Sequence, residues 1–355
     1  MTATSPATVP SMVRSLRPAR VGIMGQKVII NIAILAAIWI VLSIITPRFL
    51  TVENLSNVFR QIAVVATVGT VVTLVMVSRN FDLSVGGTVA LSAAVATTLA
   101  DGGSPVPVAM LAGVLTGLII GNANGFLILV VGINSVITTL GMMYLTQGTA
   151  LLVTHGVPIY SMPDGYEIVG AGYLGPVPAP IIIMLLAVLI MTFVERRTLL
   201  GRYARATGSN PEAARLTGVP TRRVQWILFA LAGAVAGWGG IMISSRAGGF
   251  FATVGEGFEF QVIVAAVLGG TSLLGGEGLV FGTLLGALIV GTLNNGMNLL
   301  GVPTFWQTAV LGTTLVLAVV LDAMLRRRAR RVALKVTQGT PAANQSVPQA
   351  GASES

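Results

Sequence analysis

The chain has 355 residues, 54% of them hydrophobic and only 9% charged, and a mean hydropathy of +0.86; a soluble domain of this length carries about 25% charge, so this is an integral membrane protein. Its formal net charge of +9 does not point to nucleic acid, because the basic residues sit in short clusters beside apolar runs, where arginine sets membrane orientation. Without cysteine the chain has no disulfide or thiolate chemistry, and one histidine, His155, leaves no basis for a histidine metal site.

Residues 1–26 are polar, with Arg14, Arg17 and Arg20, and read as a cytoplasmic N-terminal tail. The apolar run Val28–Ile45 is too long for a signal-peptide core and reads as a retained first span. Nine further spans fall at Val58–Val77, Ser84–Ala100, Pro107–Val131, Ser135–Val153, Pro180–Val194, Val224–Ser244, Phe260–Leu274, Leu279–Leu299 and Phe305–Leu325. Each fits about 20 residues across a hydrocarbon core of ~30 Å, with the third and eighth short or broken by glycine. The fold class expected is all-α and polytopic, with about ten transmembrane helices and both termini cytoplasmic. The transmembrane domain covers 27–325, a cytoplasmic loop 195–225 interrupts it, and 326–355 form a basic and then disordered cytoplasmic tail. This topology puts 18 of the 21 basic residues inside and leaves only Arg48, Arg60 and Arg246 outside, as the positive-inside rule requires.

Glycine marks the expected packing seams. Gly113, Gly117, Gly121 and Gly125 recur every four residues and form one helical face open to close backbone approach. Gly233 with Gly237, and Gly282 with Gly286, repeat the spacing. Gly121-Asn-Ala-Asn-Gly125 also resembles Gly291-Thr-Leu-Asn-Asn-Gly296, in spans of opposite direction, which fits an inverted repeat.

Between the sixth and seventh spans lies a charged island, Glu195–Gln225, holding Arg196, Arg197, Arg202, Arg205, Arg215, Arg222 and Arg223. Within it Asn210-Pro211-Glu212-Ala213-Ala214-Arg215-Leu216-Thr217-Gly218 has the grammar of one very short helix. Asn210 caps the first amides, Pro211 suits the first helical position, Glu212 complements the dipole, and Gly218 supplies a left-handed exit. About two turns are marginal in water, so this helix must pack on its own spans or on a partner.

No P-loop, nucleophile elbow or metal-protease motif occurs, and the only lysines are Lys27 and Lys335. No catalytic site is expected. The acids Asp82, Glu277 and Asp322 fall at span ends or in loops, and no ionisable residue falls near the middle of a predicted span, which weighs against an ion-driven carrier. The spans instead offer neutral polarity, from Asn122, Asn124, Asn134, Thr138, Thr139, Thr146, Gln147, Gln261, Asn294, Asn295, Asn298 and Gln307. Asn124, Asn134, Thr138, Thr139, Gln147, Asn294, Asn295 and Asn298 are the candidates for lining a passage for a polyhydroxylated solute. Hydrogen bonding between helices is the competing role for each. The outer segment Thr154–Ala179 is long for a connector and suits either a soluble partner or a cover over the bundle.

Five stretches carry a family resemblance. They are Asp82-Leu-Ser84-Val-Gly86, Thr139-Leu-Gly-Met-Met143, Gly201-Arg-Tyr-Ala204 with Gly208–Gly218, Gly269-Gly-Thr-Ser-Leu273 with Gly275-Gly276, and Asn294-Asn-Gly-Met-Asn-Leu299. In order and spacing the chain resembles, from about residue 50 to 325, the membrane permeases of bacterial ABC importers for ribose, xylose and related monosaccharides. Departures are Arg79-Asn80-Phe81 in place of Gly-Gly-Ile, Asn134-Ser135 in place of Pro-Phe, and Gln147 in place of an arginine. The resemblance implies a bacterial inner-membrane subunit that works with a second permease subunit, a cytoplasmic ABC ATPase that binds ATP and Mg, and an extracytoplasmic sugar-binding protein. It implies no cofactor in this chain. Asn210, Pro211, Glu212, Ala213, Ala214, Arg215 and Gly218 would then form the coupling helix, and Asp82, Ser84 and Gly86 an inner-loop motif. Permeases of the same architecture for nucleosides or branched-chain amino acids, and an ATP-independent sugar carrier, remain the alternatives.

Overall fold

An apolar chain with no water along its flanks must satisfy its backbone internally, and helices do so within each segment. The computed structural model describes residues 23–160, 162–303, 305–317, 319–320 and 324; most of the N-terminal tail, Asp322 and the basic C-terminal tail lie outside these. In chain order the helices are α1 (Ile23–Ile45), α2 (Val52–Val77), α3 (Val85–Asp101), α4 (Val106–Phe126), α5 (Ser135–Val153), α6 (Ala179–Arg197), α7 (Leu199–Ser209), α8 (Pro211–Leu216), α9 (Thr221–Ala247), α10 (Phe258–Leu268), α11 (Val280–Leu299) and α12 (Phe305–Leu317). Among the described residues seven are long and apolar enough to cross a membrane, while α3, α10 and α12 are shorter apolar helices. A two-stranded hairpin, β1 (Tyr173–Leu174) and β2 (Val177–Pro178), sits in the segment between α5 and α6.

Several boundaries differ from the sequence reading. Helix α1 begins at Ile23, inside the stretch read as tail, because the apolar register continues upstream of Lys27. The eighth stretch is helical only over α10, which ends at Gly269 before a glycine-rich turn. Within the charged island the structure adds α7, a helix the sequence reading did not identify. Helix α4 runs on through a π-helical turn, Leu127–Val131, and stops at Gly132 in the left-handed region.

The core gathers around α2, which is buried along most of its length. Val64, Val68 and Val72 of α2 pack with Val89 and Ala93 of α3, Ala236 and Met242 of α9, and Val262 and Ala266 of α10. Helix α1 stands outside, joined to the bundle by Asn31 Nδ2 donating to the Leu268 carbonyl (2.7 Å) and Trp39 Nε1 to Thr292 Oγ1 (3.3 Å). The most intimate helix pair is α4 on α9. A Cβ at Gly117 would overlap the Gly233 carbonyl oxygen, a Cβ at Gly233 would overlap that of Gly117, and one at Gly121 would overlap that of Phe229. Gly113 faces the Ser92 carbonyl of α3, and Gly125 gives its space to the Trp226 ring.

The turn between α2 and α3 is buried and polar. Asp82 Oδ1 accepts from the Ser84 backbone N–H (3.0 Å) and from Ser84 Oγ (2.6 Å), and Ser84 Oγ in turn accepts from Asn124 Nδ2 of α4 (2.8 Å). Arg79 holds φ 69°, a left-handed conformation that favours glycine and that few other residues adopt. Burial pushes the Asp82 carboxyl up to about 6, against the two Ser84 hydrogen bonds that lower it.

Two outcomes follow from this packing. Gly117→Leu forces a side chain into the facing backbone and costs roughly 3 kcal/mol or more, so its membrane abundance and detergent melting temperature fall; Gly141→Leu, whose Cβ would meet nothing within 4 Å, leaves both unchanged. Because the folded pKa of Asp82 lies above its unfolded value, the native state holds the extra proton between pH ~4 and ~6, and its contribution to stability declines as pH rises through that window. Melting curves from pH 4.5 to 7 show a smaller decline for Asp82→Asn than for the native chain.

Candidate functional site

On the predicted cytoplasmic side, α8 is built as its sequence dictates. Asn210 has extended backbone and its Oδ1 accepts from the Ala213 N–H (3.1 Å), Pro211 opens the helix, and Gly218 leaves it at φ 83°. Glu212 and Arg215 pair across one turn at 3.2 Å, with both side chains exposed, which contributes a few tenths of a kcal/mol at most. Of its six residues only Ala214 is buried; Ala213 is exposed and Leu216 is 79% exposed. An apolar leucine presented on a short, capped helix is shaped for contact with something outside this chain.

The base of α8 is held firmly. Glu195, 2% exposed at the end of α6, accepts from the Arg205 guanidinium of α7 and from the Val280 N–H that opens α11 (3.1 Å). One carboxylate thus joins three helices, and Arg205 reaches on to the Gly278 carbonyl (3.4 Å). A Cβ at Gly208 would overlap the Val77 carbonyl oxygen, which already accepts from the Gly276 N–H (2.8 Å). Gln225 Nε2 of α9 donates to the Ser78 carbonyl (3.0 Å). The segment leading into α8 is therefore in direct contact with the inner turns after α2 and α10.

The eight pathway candidates do not converge on one space. Asn134 caps α5 through the Val136 N–H (2.9 Å), and Thr139 bonds back to the Ser135 carbonyl (2.8 Å). Asn124 is buried against Ser84 and Thr138 is buried with no partner for its hydroxyl. Asn295 exchanges two hydrogen bonds with Asn54 of α2 (3.1 and 2.8 Å), and Asn298 Oδ1 accepts from Gln307 (2.7 Å). Gln147 and Asn294 are half-buried on α5 and α11. Most of these groups cap helices or link them.

A pocket of about 430 Å³ lies elsewhere, on the predicted outer side, between α2, α9 and the segment 248–257 that leads into α10. Gln61, Arg246, Phe251, Thr253, Glu256 and Gln261 supply its chemistry. Its rim is tied to the outer segment. Ile159 and Phe250 exchange backbone hydrogen bonds (3.0 and 2.9 Å), and Tyr160 meets Phe251 edge to face at 5.4 Å. Tyr166 is fully buried with its hydroxyl 2.8 Å from Ser244 Oγ, while Ser245 Oγ donates to the Tyr166 carbonyl (2.6 Å). The Arg60 guanidinium lies 4.5 Å from the centre of the Tyr173 ring.

Glu259, in the first turn of α10, is a buried carboxylate that the sequence reading did not single out. It is 3% exposed, its Oε2 has no hydrogen-bond partner, and it presses against Gly86. The neighbouring Gly87 faces Met143 and Thr146, near the middle of α5, so this carboxylate lies at mid-height. The available signal was the pair of acids, Glu256 and Glu259, just ahead of an apolar run already read as short, which is where broken helices place polar groups.

Comparison with known proteins finds membrane permeases. The chain is 40% identical to the ribose import permease of Bacillus subtilis over 80% of its own length and 88% of that protein. It is 34% identical to the L-arabinose ABC transporter permease of Azospirillum brasilense, covering 93% and 97%, and 34% identical to the D-allose transport system permease of Escherichia coli, covering 83% and 91%. No solved structure gives a significant match. Residues 54–319 match the family described as branched-chain amino acid transport system / permease component, and the chain belongs to that family of membrane permeases.

Proposed function

We propose that this chain is the transmembrane permease subunit of a bacterial ABC importer that moves a monosaccharide, a pentose, hexose or related polyol, into the cytoplasm by alternating access. The observation that carries the reading is α8, an exposed, doubly capped helix with an unpartnered leucine, rooted by Glu195, Arg205 and Gly208 in the inner turns of the bundle. Such a peg suits a groove on a cytoplasmic ABC ATPase, which binds ATP and Mg. Asn210, Pro211, Glu212, Ala213, Ala214, Arg215 and Gly218 are then the coupling residues. A second permease subunit and an extracytoplasmic sugar-binding protein complete the assembly in the inner membrane. The ribose, arabinose and allose permeases among its relatives favour a sugar over a branched-chain amino acid. Support for ATP as the energy source comes from the family and from α8, since Glu259 removes the argument from missing carboxylates. Ten spans with both ends inside, and an inverted repeat, belong to the same reading. A long helix, an irregular turn and a short helix occur in that order as α2–α3 and again as α9–α10.

Ala213→Arg places a bulky cation on the exposed face of α8 and touches no helix of the bundle. Its membrane abundance stays normal, while co-purification of the ATPase or substrate-stimulated ATP hydrolysis falls at least about tenfold, a loss of roughly 1.4 kcal/mol or more of coupling. Full coupled uptake by this variant would reduce α8 to a capped loop. Uptake driven by a proton gradient alone, with no ATPase present, would favour the secondary carrier. Topology has its own test, because the chain has no native cysteine. A membrane-impermeant thiol reagent added to intact cells labels Asp164→Cys and spares Leu216→Cys; the reverse pattern would invert the orientation.

A further inference from the structure

The island 195–225 carries seven arginines, Arg196, Arg197, Arg202, Arg205, Arg215, Arg222 and Arg223, against two glutamates. Both glutamates are occupied, Glu195 by Arg205 and Glu212 by Arg215. The other five arginines are exposed, and among the described residues none of them meets an acid. Their helices share one apolar cluster, to which Met191 and Val194 of α6, Tyr203 of α7 and Val224 and Leu228 of α9 belong. Five like charges are thus gathered at one end of the bundle without a counter-charge.

The outward face of α6 fixes what surrounds the first two. Leu186, Leu189, Ile190 and Phe193 are each more than half exposed. At spacings of three and four they form one stripe down the helix, and Arg196 and Arg197 continue it. Helix α6 has 19 residues and is apolar enough to cross a membrane, and at 1.5 Å per residue it spans about 28 Å, close to the ~30 Å of a hydrocarbon core. Arg196 and Arg197 are its last two residues. Their guanidiniums therefore stand at headgroup depth, directly beneath acyl chains rather than in open water. Leu199, also more than half exposed, and Arg202 one turn further carry the same mixture onto α7.

Two protein partners fit this stripe poorly. A second copy would bring the same five cations and no free acid: at this end Asp82 is buried against Ser84, Glu195 and Glu212 are paired, and Glu277 is engaged. A water-soluble ATPase on α8 does not reach the hydrocarbon-facing side chains of α6.

We propose that Arg196, Arg197 and Arg202 bind the phosphate of an anionic phospholipid in the leaflet at the α8 end, with its acyl chains against Leu189, Ile190 and Phe193. A guanidinium offers phosphate two parallel N–H donors. Arg222 and Arg223 add to the field that draws the lipid in. The inference concerns the lipid around the permease and holds whatever solute is moved.

The chain has no native cysteine, so a bimane fluorophore on Phe193→Cys, one turn above the arginines, reports the lipid beside them. The permease, with and without its ATPase, is reconstituted in phosphatidylcholine vesicles containing a small fraction of brominated phosphatidylglycerol or of brominated phosphatidylcholine. The anionic lipid gives equal quenching at a membrane fraction at least about fivefold lower, the preference expected from a single basic side chain at an anionic surface. Combining Arg196→Gln, Arg197→Gln and Arg202→Gln brings the two lipids level, and membrane abundance and melting temperature stay normal because all three side chains are exposed. Bimane on Leu152→Cys, exposed at the opposite end of α5, shows no preference. Equal quenching by the two lipids at Phe193→Cys would overturn the proposal, as would a preference that survives the triple substitution or appears equally at Leu152→Cys. Absence of quenching by either lipid would mean that protein covers the stripe, and would overturn it too. A preference lost once the ATPase is bound would assign the arginines to that partner instead.

Discussion

In hydrocarbon an apolar side chain gains little by exchanging a lipid neighbour for a helix neighbour, so helices associate through close dispersion contacts and hydrogen bonds. Everything else in this bundle depends on that constraint, and it is met where α4 lies against α9. Gly117 and Gly233 remove each other's steric obstacle, so the two backbones touch directly. Hydroxyls then follow a consistent rule. Thr97, Thr116 and Thr146 each bond to a carbonyl on their own helix, which lets polar side chains be buried without a partner elsewhere, while Thr73 adds a hydroxyl contact to Thr283 of α11. Links between helices are fewer and more selective, as with Asn54 and Asn295, which pair across α2 and α11.

The two ends of the bundle are finished differently. At the end that bears α8 charge holds the elements together: the Glu195 carboxylate gathers α6, α7 and α11 through an arginine and a backbone amide. Taking one of those partners away would leave a buried charge uncompensated, so the segment bearing α8 has little freedom to swing alone. At the opposite end the hydrogen-bonded ties are neutral, made by Tyr166, Ser244, Ser245 and the β-bridge to Phe250, beside the Arg60 cation over the Tyr173 ring. The outer cover therefore rests on hydrogen bonds that each contribute about 1 kcal/mol, a looser closure than the inner junction.

How much of this was legible in the sequence depended on how local the determinants were. Helix α8 was readable because its caps and its exit all lie within nine residues. The Gly113–Gly125 face was readable because a spacing of four is a property of one helix. Helix α7 was hidden by the arginines around it: Gly201, Ala204, Thr207 and Gly208 form its buried face, and only Leu200 and Tyr203 beside them are large and apolar. The neutral polar residues illustrate the converse. Asn124, Asn134 and Asn295 are polar for reasons of capping and cross-linking, and composition does not say which way a side chain faces. Glu259 escaped notice because the chain re-enters the bundle before α10, and only the fold brings that carboxylate beside Gly86.

Helix α9 extends 27 residues, about 40 Å at 1.5 Å per residue. Gln225 near one end bonds the turn after α2, and Ser244, Ser245 and Arg246 at the other hold the outer segment and edge the pocket. Gly233, Gly237 and Gly240 on it let neighbouring backbones approach closely, while Leu228, Phe229, Ile241 and Met242 lock it into the core. A helix gripped at both ends and locked into the core between them acts as a rigid strut. Free-energy linkage makes such a strut reciprocal: whatever an event at the inner end does to outer-face affinity, an outer-face ligand must do in equal measure to the inner end. In this chain α9 is the single element that ties the turn after α2 to the segment 154–178.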